Sequence, residues 1–139
     1  MSKAPNTQAP FRFRLDAHSG VPVYRQIIDQ VQAGVASGTL AVGDQLPTVR
    51  QTAVDLEINP NTVLRAYREL EIRGALDTQQ GTGTFISARP VAEDSVERTR
   101  QLQQLLNEFV ARAGAGGFTI QEVIEALRER APETEKKRR

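Results

Sequence analysis

Cysteine is absent from the 139 residues, and histidine occurs once, as His18. The first absence excludes disulfides, iron–sulfur ligation and the common structural zinc sites, and it agrees with a reducing compartment. The second leaves a transition metal without its usual donors, and a lone histidine two residues before Gly20 reads as exposed loop surface. No apolar run approaches the roughly 18 residues that span a bilayer. The opening MSKAPNTQAP lacks the apolar stretch and small-residue cleavage site of a signal peptide. The expected location is the cytoplasm, with no membrane partner. An excess of one charge is missing as well: residues 1–90 carry nine Lys/Arg against eight Asp/Glu, and residues 91–139 carry nine against nine. A chain of this balance that grips a phosphate backbone must sort its cations onto one face. Neither G-x-x-x-x-G-K-[ST] nor H-E-x-x-H is present, and the carboxylates fall on polar helix faces, so no enzyme and no cofactor is expected.

What is present suits one domain with a small appendage. Residues 1–10 read as a disordered lead. In FRFRLDA, Phe11, Phe13 and Leu15 alternate with Arg12, Arg14 and Asp16, which predicts a short half-buried strand. From Val23, the positions Tyr24, Ile27, Ile28, Val31 and Val35 lay one stripe along a helix that Gly38 stops. GTLAVGDQLP is turn chemistry carrying two apolar anchors, Leu40 and Leu46. Thr48 with Gln51 forms a capping-box pattern, which starts a short helix from Val49 to about Leu56.

After a turn of about three residues, Asn59 is an N-cap type and Pro60 sits where a proline has no amide to lose. The helix they start gathers Val63, Ala66, Tyr67 and Leu70 on an apolar face, turns Asn61, Thr62, Arg65 and Arg68 elsewhere, and ends at Gly74. Two strands follow, Ala75 to Gln79 and Thr84 to Ser87, joined by a tip that holds Gly81 and Gly83. Glycine there permits positive φ and a close backbone approach.

Two helices across so short a turn, the second with Asn, Thr and Arg on its outer face, form a helix-turn-helix whose second helix fits the major groove of DNA. Asn pairs with adenine, Arg with guanine or phosphate, and the helix N-terminus offers free amides to phosphate oxygens. The glycine-tipped hairpin completes a winged helix-turn-helix. The fold class expected is mainly α with a small β wing.

Beyond Arg89-Pro90 the composition shifts. Val96, Leu102, Leu106, Phe109 and Val110 trace a helical stripe to about Arg112, and AGAGG breaks it. Thr119 with Glu122 is a second capping box, and Phe118 with Val123 a hydrophobic staple, so a last helix runs to about Arg130. Two helices of this size have little core of their own, so their apolar faces, with Val123 and Leu127, are expected to be buried against a second copy. The domains expected are a lead at 1–10, a winged helix-turn-helix at 11–88, a two-helix dimerisation extension at 91–130 and a charged tail at 131–139.

The stretch from VYRQIIDQ to GTGTFIS closely resembles the DNA-binding domain of the GntR family of bacterial transcription regulators. It matches the elements G-x-x-LP-x-x-R, N-x-x-T-V-x-R-A-x-x-x-L and G-x-G-T-F in order, over roughly residues 11–88. The resemblance implies that Arg50 contacts DNA from the start of the second helix, that Asn61, Thr62 and Arg65 are recognition-helix positions, and that Gln80, Gly81 and Gly83 form the wing tip. Thr48 and Asn59, at the starts of the two helices, join this DNA-binding set. Tyr67 is similar to a position that either packs or touches phosphate. The C-terminal part is too short for the effector domains of larger members and looks like the YtrA subfamily, whose short extension mediates dimer formation. The partners implied are a double-stranded DNA operator with an inverted repeat, a second copy of the chain, and a small-molecule effector that nothing in the residues identifies. Repression is the expected mode. A winged module for protein contacts or ligand sensing, without sequence-specific DNA binding, is the competing reading. For Arg50 and Arg65 the plain alternative is a solvated surface or a pair with Glu69, and Arg68 and Arg73 suit a mixed solvated face equally well.

Overall fold

The structure, a computed structural model, describes residues 11–88 and 95–131. The expected lead at 1–10, the first residues of the extension and the tail beyond residue 131 lie outside the described residues. The chain divides into two compact units, Met1–Arg89 and Pro90–Arg139. Among the described residues there are five helices and one three-stranded antiparallel sheet, so the chain is mainly helical.

In the first unit, α1 (Val23–Ser37) buries Ile27, Ile28, Val31 and Gly34, and Gly38 ends it with φ of 84°. The expected stripe is right in its first four members and wrong at Val35, which is 45% exposed. Gly34 takes its place because the chain turns back at Gly38 and lays Leu40 on the bare glycine backbone. A Cβ at Gly34 would stand 2.9 Å from Leu40 Cδ1.

FRFRLDA is not a strand, and this corrects the expectation drawn from its alternation. Phe13 is buried and Arg12 and Arg14 are exposed, as the period implies, but no strand lies alongside. Two glutamine side chains of α1 take that role. Arg14 N–H donates to Gln30 Oε1 at 2.9 Å while Gln30 Nε2 donates to the Arg14 carbonyl at 2.6 Å. Gln26 makes the same pair of bonds with Asp16, at 2.8 and 3.0 Å. A side-chain amide presents N–H donors and a carbonyl acceptor in one plane, so it pairs with both the N–H and the carbonyl of an extended residue without a sheet.

The third strand comes from elsewhere. β1 (Gln45–Leu46), β2 (Leu76–Gln79) and β3 (Gly83–Ile86) form a sheet of order β1-β3-β2, with Gln45 opposite Phe85 and Thr78 opposite Thr84. Leu40 and Leu46 are both buried, as anchors should be. In chain order α2 (Val49–Leu56) and α3 (Pro60–Ile72) come between β1 and β2, and they pack with α1 around Val63, Ala66, Tyr67 and Leu70. Full burial of a side chain such as Leu70 contributes about 1.5 to 3 kcal/mol, so this cluster supplies most of the reason the unit folds.

The second unit is α4 (Ser95–Ala115) packed on α5 (Ile120–Arg130). The capping box stands: Thr119 Oγ1 accepts from Glu122 N–H at 3.1 Å, and Glu122 Oε1 accepts from Thr119 N–H at 3.3 Å. α4 runs one turn past Arg112, through Gly114, before Gly117 turns the chain with φ of 86°. Neither helix has a buried residue. Leu102 and Phe109 are each 54% exposed, as is Leu127, and Leu105 and Ile120 are more so.

Candidate nucleic-acid interface

α2 starts where its capping chemistry says. Thr48 Oγ1 accepts from Gln51 N–H at 3.0 Å, and Gln51 Oε1 accepts from Thr48 N–H at 2.9 Å. Two residues on, Arg50 is exposed. α2 closes at Glu57, whose φ of 56° places a residue with a Cβ in the left-handed region. Ile58 then tucks back, its N–H donating to the Ala53 carbonyl at 3.0 Å, and it packs against the core. The turn is therefore held from both sides, and α3 leaves it in one direction.

Asn59 caps α3 by accepting from Asn61 N–H at 2.8 Å. Its side-chain oxygen is engaged there, which leaves its amide NH2 as the group facing outward chemistry. Asn61 and Arg65 are exposed and Thr62 half-exposed, one turn apart along the helix, with Arg68 one turn further. The Arg65 guanidinium carbon lies 3.8 Å from the centre of the Tyr24 ring, so the two groups stack. Glu69, the carboxylate one turn beyond Arg65, pairs instead with Arg73 at 3.3 Å. The mixed-face reading thus suits Arg73, and the pair considered for Arg65 does not form.

Tyr67 is a correction. Grouped with the DNA-binding residues although the resemblance left it either packing or touching phosphate, it is 2% exposed, and its hydroxyl donates to the Pro47 carbonyl at 2.7 Å. With that proton engaged, the Thr52 hydroxyl, 3.2 Å away, is the donor to Tyr67 Oη. Burial pushes the Tyr67 phenol up from 10 to about 12, against the opposing effect of the Thr52 hydrogen bond. Tyr67 packs; it has no surface to offer a phosphate.

The wing follows α3 through Gly74. Gln80 and Gly81 are exposed at its tip, where Gly81 has φ of 78° and Thr82 N–H donates to the Gln79 carbonyl at 3.0 Å. Gly83 has φ of 140°, and the space a Cβ would take there is filled by the amide end of the exposed Gln45 side chain. That amide donates to the Thr82 carbonyl at 3.1 Å, so β1 ties down the tip. Gln45 was hidden in what reads as turn sequence, and Tyr24 in an apolar stripe. Two residues that support candidate DNA-binding groups carry no local signal of that role.

Among the described residues no group of three or more His, Cys, Asp or Glu stands close enough to hold a metal ion, and no helix is long and apolar enough to cross a membrane.

Residues 23–86 match the family model described as bacterial regulatory proteins, gntR family. The chain is 47% identical to the HTH-type transcriptional regulator Rv1152 of Mycobacterium tuberculosis, over 82% of this chain and 89% of that one. It is 33% identical to the HTH-type transcriptional repressor YtrA of Bacillus subtilis, over 84% of this chain and 89% of that one. Among solved structures it is similar to YtrA from Sulfolobus acidocaldarius, a GntR-family transcription factor, with a TM-score of 0.54 and 29% identity over 74% of this chain and 97% of that one.

Proposed function

The chain belongs to the GntR family of bacterial regulatory proteins and is a DNA-binding transcriptional regulator, and from that premise we propose that it works in the cytoplasm as a homodimeric repressor. In this reading the N-terminal turns of two α3 helices enter successive major grooves of an inverted repeat, with the wings on the flanking groove or backbone. Arg50, Asn59, Asn61, Thr62 and Arg65 carry the contacts from the helices, and Gln80 and the glycines carry them from the wing tip. Thr48 contributes by fixing the start of α2, since its hydroxyl oxygen already caps that helix. Bound at a promoter, the dimer excludes polymerase.

One observation carries the recognition half: the first turns of α3 leave Asn61 and Arg65 exposed, while the opposite face of the same helix is sealed in the core. The dimer half is supported by the second unit. Val96, Leu102, Leu106, Phe109, Val110 and Leu127 are all exposed on a helix pair with no buried residue of its own. Apolar faces of this extent call for a partner surface, and a twofold copy supplies a matching one. Val123, also assigned to that face, is half-buried.

Selection of bound fragments from a random duplex library tests the reading, followed by mobility shifts on the selected site. Arg65→Ala should lose about 1 to 3 kcal/mol on that site and relax its sequence preference, as expected for a base-reading arginine. Arg50→Ala should weaken all duplexes and reduce the salt slope by about 1, as expected for a phosphate contact. Selection that enriches no sequence, with both variants binding as the wild type does, sinks the proposal.

A further inference from the structure

The Arg65 guanidinium is the one DNA-facing group among the described residues that rests on an aromatic ring. Tyr24 comes from the first turn of α1, outside the helix-turn-helix. It is half-buried and packed against the core, so its ring is a fixed platform. The ring lies against the face of the guanidinium, and the N–H donors, which all lie in its plane, meet no acceptor among the described residues. The nearby acids do not compete, because Glu69 pairs with Arg73 at 3.3 Å and Asp29 of α1 pairs with Arg25 at 3.8 Å.

We propose that Tyr24 is a positioning residue for DNA recognition: its ring holds the Arg65 guanidinium in one orientation before DNA arrives, so that the donor edge meets a base or phosphate with little left to order. The inference rests on reading α3 as the recognition helix. A long arginine otherwise loses much rotamer freedom on binding, and restricting it beforehand raises affinity without any new contact. The ring is what matters; the tyrosine hydroxyl has no part in the device.

The test compares the wild-type protein with Tyr24→Phe, Tyr24→Leu, Arg65→Ala and the double variant Tyr24→Leu/Arg65→Ala, by fluorescence anisotropy on the selected operator. Tyr24→Phe should bind as the wild type does, and Tyr24→Leu should lose about 2- to 5-fold, the scale of an exposed cation–π contact. In the Arg65→Ala background, Tyr24→Leu should cost nothing further. A ring-current shift on the Arg65 side-chain protons should appear in the free wild-type and Tyr24→Phe proteins and vanish in Tyr24→Leu. Losses that multiply in the double variant overturn the proposal, as does a Tyr24→Phe variant no better than Tyr24→Leu. Absence of the ring-current shift in the free wild type overturns it without recourse to any variant. If the wild type prefers no duplex at all, the recognition reading itself falls, an outcome distinct from operator binding that ignores Tyr24.

Discussion

The hydroxyl of Tyr67 reaches 2.7 Å to the carbonyl of Pro47, tying the middle of α3 to the residue that leads into α2. This bond sets the two helices of the helix-turn-helix against one another from inside the core, while Thr52 satisfies the remaining lone pair.

Tyr67→Phe should therefore destabilise the first unit by about 1 to 2 kcal/mol near neutral pH, because the Pro47 carbonyl and the Thr52 hydroxyl each lose a partner. The pH dependence has a definite sign. The folded phenol, at about 12, lies above its ordinary 10, so its contribution is complete below pH 10 and is lost as pH rises towards 12. Over that window roughly 3 kcal/mol should drain from the wild type. Urea titrations of both proteins between pH 8 and about 12 check this through the difference between them. A constant difference across the window would mean the phenol titrates normally.

Gly34 offers a contest between propensity and packing. Alanine gains about 1 kcal/mol over glycine in a helix interior, yet its Cβ would press on Leu40 at 2.9 and 3.1 Å with Phe11 at 3.4 Å. Leu40 is buried and cannot swing away without opening the core. Gly34→Ala is expected to lose about 1 to 3 kcal/mol net, the range for overpacking, and a higher melting temperature than wild type would refute the packing argument.

Glu57 lies at the helix-turn-helix corner with φ of 56°, where a Cβ is strained. Glu57→Gly should raise stability by about 1 kcal/mol by relieving the left-handed conformation. Since the corner geometry is retained, operator affinity should hold. Chemical denaturation and anisotropy measured on the same preparation decide it; a loss of stability would show that the glutamate side chain contributes more than the strain costs.

For the second unit, Leu106→Asp or Phe109→Asp places a carboxylate on the apolar face. Both should give monomers in light scattering, with operator affinity falling roughly 100-fold or more as the linked second half-site contact disappears. Variants that stay dimeric would move the subunit interface elsewhere.

The parts of the fold that were legible in the sequence are those with local causes. The starts of α2, α3 and α5 follow from Thr48, Asn59-Pro60 and Thr119, whose side chains satisfy amides only two or three residues away. The buried face of α3 follows from helical period alone. FRFRLDA misled because alternation reports which side is buried and says nothing of what satisfies the backbone; Gln26 and Gln30, from another element, do so. β1 escaped because two residues have no period to read.

The amino-acid order by itself thus determined the helices, their caps, the glycine tip and the family motifs, since each depends on interactions among near neighbours. Tertiary structure alone decided that the Tyr67 hydroxyl meets the Pro47 carbonyl, that Tyr24 lies under Arg65 and that Gln45 ties the wing. Those outcomes depend on which distant segments share the same space, and helical period cannot distinguish a tyrosine at a core edge from one at a binding surface.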